Sequence, residues 1–186
     1  MKKIALALLI VFSISSVAFG ITRAGRFGLE GSYFLITSPL WLNQYRASGA
    51  IGCGGLFYNF TEDLSMSLGA IYAADPRDIM TQATDSAIGI ILKGLWNLGR
   101  GDTVPHLGIE AWYLNRDLPS IYSSVSVFNL ALLYGVEAML LPDFSVMLDA
   151  RLIDYQTMNP KGNIMDHGSQ LILISGATLS FRWYIL

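Results

Sequence analysis

Large apolar side chains recur at every second position through most of this chain. Leu64-Ser65-Met66-Ser67-Leu68-Gly69-Ala70-Ile71-Tyr72 is one such run. Phe144-Ser145-Val146-Met147-Leu148-Asp149-Ala150-Arg151-Leu152 and Thr178-Leu179-Ser180-Phe181-Arg182-Trp183-Tyr184-Ile185 are two more. A period of two marks a strand with two unlike faces. The pattern predicts eight strands, near 26–36, 48–60, 64–74, 87–98, 104–114, 125–140, 144–155 and 170–186. Most of them reach the ~9–11 residues that a membrane-crossing strand needs, against a usual ~5–6 in soluble sheets.

The connections alternate in length. Thr61-Glu62-Asp63, Gly99-Arg100-Gly101-Asp102-Thr103 and Leu141-Pro142-Asp143 are tight turns built from Gly, Pro and Asp. The remaining four, at 37–47, 75–86, 115–124 and 156–169, are longer. Short turns at one end and long loops at the other are the pattern of an outer-membrane barrel, and an even strand count puts both strand termini at the short-turn end.

The charges decide which face is wet. With the bulkier apolar parity turned outward, Phe27, Leu29 and Tyr33 point out while Glu30 and Ser32 point in. The same rule turns Leu92 out and Lys93 in, Ile109 out and His106 and Glu110 in, and Leu130 and Tyr134 out and Glu137 in. Asp149, Arg151 and Arg182 also fall on the inner face. An Arg or Lys at the middle of a lipid-facing strand costs about 2–4 kcal/mol, so the lumen is where these groups belong. Their near-balance of sign suits mutual pairing in a narrow interior. Strand two, with Gly52, Gly54 and Gly55, is too rich in glycine to assign a parity. Sheet edges in lipid leave backbone groups unsatisfied, so the eight strands must close, and eight give an interior that side chains fill.

Composition agrees. Hydrophobic residues make up 53% and charged residues 14%, with a mean hydropathy of +0.46 and a net charge of -2. Soluble domains carry about 25% charged residues. The near-neutral balance gives no support for nucleic-acid binding. A single cysteine, Cys53, excludes an internal disulfide framework and a Cys-based zinc site.

The first twenty residues have their own grammar. Lys2 and Lys3 precede an apolar stretch from Ile4 to Ile14, and Ala18 and Gly20 stand at the -3 and -1 places of a small-x-small cleavage motif. Residues 1–20 therefore read as a secretory signal peptide and 21–186 as the exported barrel domain. The apolar stretch falls well short of the ~20 residues a transmembrane helix needs.

The hairpin Gly135-Val136-Glu137-Ala138-Met139-Leu140-Leu141-Pro142-Asp143-Phe144-Ser145-Val146 resembles those of the small OmpA/OmpX-like outer-membrane barrels. The hairpin from Leu56 to Ser65 follows a similar plan, and Phe181-Arg182-Trp183-Tyr184-Ile185-Leu186 resembles the terminal signal read by the barrel-assembly machinery. That group usually closes on Phe or Trp, where this chain has Leu186. The resemblance spans about residues 24–186. It implies an all-β, eight-stranded antiparallel up-and-down transmembrane β-barrel in the bacterial cell outer membrane. The implied partners are outer-membrane lipid, the assembly machinery during insertion, and an external partner for the long loops.

Candidate chemistry is sparse. His106 and Glu110 share one face of strand five, with Lys93 a candidate neighbour, and an acid–base site there needs a nucleophile such as Ser145 or Ser180. The favoured reading makes Glu30, Lys93, His106, Glu110, Glu137, Asp149, Arg151 and Arg182 a polar network filling the lumen, with no cofactor, metal or catalytic residue. His167, Asp166 and Asp154 beside the last long loop are weak candidates for a metal site. Trp41, Tyr45 and Tyr122 suit an interfacial girdle, and Asp75, Arg77 and Asp78 a solvated loop. The Arg100-Gly101-Asp102 triplet falls in a tight turn at the short-turn end, the wrong place for an adhesion motif. The expected function is a non-enzymatic structural or surface-interaction barrel. The alternatives are an outer-membrane lipid-modifying enzyme, and a soluble exported calycin-like barrel that binds an apolar ligand and has its faces inverted.

Overall fold

Eight antiparallel strands close on themselves in chain order: β1 (Phe27–Thr37), β2 (Ile51–Asn59), β3 (Leu64–Asp75), β4 (Asp85–Asn97), β5 (Thr103–Leu118), β6 (Ser123–Leu141), β7 (Phe144–Lys161) and β8 (Gly168–Tyr184). This is a computed structural model, and it describes residues 23–37, 51–75, 85–118, 123–161 and 168–185. The expected signal peptide, Trp41, Tyr45, Arg77, Asp78, Tyr122, Asp166 and His167 lie outside the described residues. Each strand pairs with its neighbours in sequence, and β1 closes the barrel on β8 through Glu30 opposite Arg182 and Ser32 opposite Ser180. Every ladder is therefore shared, and the backbone polar groups of the wall satisfy one another.

The tight turns and both described termini gather at one end. Arg23 N–H donates to Glu62 Oε2 at 3.0 Å, and the Arg26 guanidinium donates to the Pro142 carbonyl at 2.9 Å. Tyr184 N–H donates to the Asp143 carbonyl at 2.8 Å. The Arg-Gly-Asp triplet is at this end too, where Gly101 takes a φ of 119° that a side chain would strain.

At the opposite end the strands run further than the apolar alternation indicates. β5 continues to Leu118, β6 starts at Ser123 and β7 reaches Lys161, so two of the expected long loops are largely ladder. Residues such as Asn115, Asn159 and Lys161 lack an apolar parity, yet their backbones keep pairing. Asp75, expected in a loop, ends β3.

The faces separate as the parity predicts. Leu29, Leu56, Leu68, Ile90, Leu92, Ile109, Leu130, Leu148 and Phe181 are exposed on the outer wall. Outward aromatics mark both ends of this belt: Phe27, Phe60, Trp96 and Trp183 towards the short turns, and Tyr33, Tyr72, Tyr113 and Tyr155 towards the long loops. On β2, where glycine hid the parity, Phe57 and Asn59 point in and Leu56 and Tyr58 out. Cys53 shares the inner face and packs against a cluster of Phe34, Ile71, Ile91, Trp112, Leu114 and Val127.

Three ladders shift register, and all the shifts but one lie in the half towards the long loops. On β7 the extra residue is Leu152, and on the facing stretch of β8 Ile174 adopts a φ of 55°. A β-branched residue in the left-handed region is a costly outlier, by roughly 1–2 kcal/mol. The β7 bulge moves the inward set from the odd residues 145–151 to Asp154 and Gln156.

Candidate functional site

The inward strand positions hold almost all the buried charge. Arg23, Glu30, Lys93, His106, Glu110, Glu137, Asp149, Arg151, Asp154 and Arg182 are all buried. Lys93 reaches across the lumen from β4. Its ammonium donates to Glu30 Oε1 at 3.0 Å on β1 and to Asp149 Oδ2 at 3.2 Å on β7. Asp149 Oδ1 lies 2.6 Å from His106 Nε2 on β5. Arg182 Nε donates to Glu30 Oε2 at 2.9 Å, and Arg182 Nη1 lies 3.8 Å from Glu137 Oε2. Glu137 also accepts from Ser145 Oγ at 2.5 Å and Tyr184 Oη at 2.7 Å, and Arg23 stands 4.0 Å away. The chain His106–Asp149–Lys93–Glu30–Arg182–Glu137–Arg23 thus crosses the interior, tying β1, β4, β5, β6, β7 and β8 together.

Glu110 and Arg151 form a separate pair, in which the Arg151 Nη2 donates to Glu110 Oε1. Arg151 and Arg182 are each stacked on one aromatic ring as well as paired. The Arg151 guanidinium lies 4.5 Å from the Phe34 ring centre and that of Arg182 lies 4.6 Å from the Phe57 ring centre. Planar guanidinium ions stack on aromatic faces in a way that an ammonium does not match.

Burying an ion costs several kcal/mol unless a partner and hydrogen bonds replace its water. Alternate charges along one connected chain meet that requirement. They also occupy the centre of the barrel at the level of Glu30 and Lys93, where an eight-strand interior is only as wide as the side chains that fill it. The inner face changes character towards the long loops. There Phe34, Ile71, Ile91, Trp112, Leu114 and Val127 form an apolar cluster, and Asn129, Asp154, Gln156 and Ser175 are buried on the same inner face.

All eight residues expected in the lumen are on its inner face. The arrangement separates His106 from Glu110: each has its own partner on β7, Asp149 and Arg151 respectively. Lys93 is the register partner of Glu110, yet its amine is held by Glu30 and Asp149. Ser145 is bonded to Glu137 and Ser180 to Ser32, so neither hydroxyl makes a described hydrogen bond to His106. Among the described residues no three His, Cys, Asp or Glu side chains converge as metal ligands do.

Sequence reasoning missed Arg23 and Asp154 as lumen residues. Arg23 precedes the first strand. Asp154 was expected beside the last loop, but the bulge at Leu152 turns it inward, where it accepts hydrogen bonds from Asn129, Gln156 and Ser175. No glycine or proline marks that bulge in the sequence.

No protein-family model matches the chain, and no curated protein matches it. Solved structures do. The outer membrane protein W of E. coli has a TM-score of 0.51 at 14% identity, covering 87% of this chain and 99% of that one. The N-terminal β-barrel domain of Pseudomonas aeruginosa OprF has a TM-score of 0.50 at 12% identity, covering 87% of this chain and 98% of that one. At such identities the shared property is the fold, a small closed β-barrel.

Proposed function

We propose that this chain is an integral outer-membrane β-barrel whose role is structural or surface-interacting rather than enzymatic, exported after removal of residues 1–20. The observation that carries this reading is the division of the wall. A continuous outer belt of Leu, Ile, Phe, Tyr and Trp surrounds an interior that holds the buried charges. Soluble monomers rarely expose apolar patches beyond a few hundred Å². A calycin-like barrel with an apolar cavity needs the opposite assignment, with Leu92 inside and Lys93 in water. Here Lys93 is 1% exposed and Leu92 44%.

An enzymatic role draws no support from the lumen. His106 and Asp149 form a dyad, but no described hydroxyl is bonded to the imidazole, and the dyad's carboxylate is also held by Lys93. The ionic chain leaves the centre filled, which favours an envelope component over a wide diffusion pore. Outer-membrane lipid is the partner of the belt, the barrel-assembly machinery the partner of the last strand, and the long-loop end the face for any external partner.

Fractionation of the envelope with and without detergent tests the reading. The mature protein should sediment with the outer membrane and enter solution only with detergent. Unheated samples should migrate differently from boiled ones on a gel. A protein that stays soluble without detergent would overturn the proposal.

A further inference from the structure

The residues just before β1 fold back over the short-turn end of the barrel. Arg26 N–H donates to the Arg23 carbonyl at 3.2 Å, and Gly25 between them takes a φ of 77°. A positive φ inside such a turn suits glycine, which has no Cβ to strain. The turn is pinned to the rim as a strap. Gly25 N–H donates to the Asn59 carbonyl at 2.8 Å, and Asn59 N–H to the Arg26 carbonyl at 2.9 Å. The Arg26 guanidinium, besides its bond to the Pro142 carbonyl, lies 4.6 Å from the centre of the Tyr184 ring.

Glu62, on the turn between β2 and β3, holds the outer end of this strap. Its carboxylate accepts from Arg23 N–H at 3.0 Å and from Ala24 N–H at 3.3 Å. Glu62 is itself fixed, because its carbonyl accepts from the buried Asn97 Nδ2 at 2.9 Å. The Arg23 side chain runs inward from there. It is 3% exposed, with Nε 4.0 Å from Glu137 Oε2. Glu137 is on β6, so it and Glu62 stand on nearly opposite sides of the closed ring, and Arg23 spans the mouth between them. Its seat there is incomplete. Neither Nε nor Nη2 of Arg23 has a hydrogen-bond partner among the described residues. A buried guanidinium paired so loosely gains little over one in water. The backbone keeps it in place, and Glu62 holds the backbone.

We propose that Arg23 is a plug in the short-turn mouth of the lumen and that the Glu62 carboxylate is the latch that keeps it there. Releasing the latch lets the strap lift at Gly25 and lets Arg23 leave for water. The mouth then opens as far as Ser65 and Arg182, which meet at 3.4 Å on the inner face. The Glu30–Lys93 pair still fills the centre beyond them. The device therefore controls entry from one end only.

Thiol labelling of the refolded barrel in detergent tests this. Ser65 is fully buried just inside the mouth, so Ser65→Cys in a Cys53→Ser background is the probe, and N-ethylmaleimide the reagent. The probe should react slowly while Arg23 and Glu62 are intact. Adding Glu62→Ala should speed labelling by about tenfold or more, the effect of losing hydrogen bonds to a charged group. Arg23→Ala should speed it at least as much. Asp63→Ala, the acid next to Glu62 on the same turn, should leave the rate in place. The native Cys53 lies on the long-loop side of Glu30, as the register partner of Ser32, and separates an open mouth from a loosened barrel. With Ser65 restored, Cys53 should react at one rate with and without Glu62→Ala. Should the Ser65→Cys chain fail to fold, Asn59→Cys is the second probe, since Asn59 Nδ2 has no described partner to lose. Fast labelling with Arg23 and Glu62 intact overturns the plug. A rate that rises in Arg23→Ala but not in Glu62→Ala overturns the latch, and an equal rise at Cys53 overturns both.

Discussion

His106 Nε2 and Asp149 Oδ1 meet at 2.6 Å across a residue that has no side chain. Gly135 on β6 is the register partner of both, His106 on β5 and Asp149 on β7. A Cβ at this position would press on Asp149 Oδ1, on His106 Nε2 at 2.6 Å and on the Leu148 carbonyl oxygen at 2.6 Å. The glycine lets two strands that are not neighbours join their side chains over the one between them. Lys93 holds the other oxygen of Asp149, so the carboxylate cannot swing away without breaking that ion pair.

Gly135→Ala is therefore expected to lower the stability of the refolded barrel by about 1–3 kcal/mol, the usual range for overpacking a filled core. The check is the midpoint of urea unfolding in detergent. The contrasting variant Gly94→Ala, whose Cβ would meet nothing within 4 Å, should leave that midpoint in place.

Glu110 and Arg151 form a pair with no further ionic partner among the described residues. Arg151→Met leaves Glu110 buried and alone, at a cost of about 3–5 kcal/mol. Adding Glu110→Leu should recover much of that loss, because two apolar side chains need no mutual compensation. A double-mutant cycle on unfolding free energy measures this. A double variant less stable than Arg151→Met would contradict the pairing.

Leu92 and Lys93 are consecutive on β4 and face opposite ways. The parity argument alone expects Leu92→Arg to harm assembly far more than Lys93→Leu. The ion pairs add a second cost to that picture, since Lys93→Leu strips Asp149 of the one Lys or Arg that pairs with it among the described residues. The two variants should thus fail in different assays. Leu92→Arg should reduce the yield in the outer-membrane fraction, with about 2–4 kcal/mol of charge burial in lipid. Lys93→Leu should reach the membrane but unfold at lower urea. Equal membrane yields for both would reject the assigned faces.

Much of this protein was legible in the order of its residues. Alternation of period two marks the eight strands and tells the inner set from the outer, because in a pleated strand neighbouring side chains have no choice but to diverge. The tight turns carry their own Gly, Pro and Asp signals. Ionisable groups cannot face hydrocarbon, so Glu30, Lys93, Glu110, Glu137, Asp149, Arg151 and Arg182 had only the interior left to them. What sequence could not supply is which acid meets which base. Lys93 lies beside Glu110 in register but is held by Glu30 and Asp149, strands away, because in a closed barrel walls remote in sequence face each other across a few ångströms. Nor could it supply the bulge at Leu152, which nothing local marks. Register there is a compromise among β6, β7 and β8, and one displaced residue is enough to turn Asp154 from the last loop's border into the lumen.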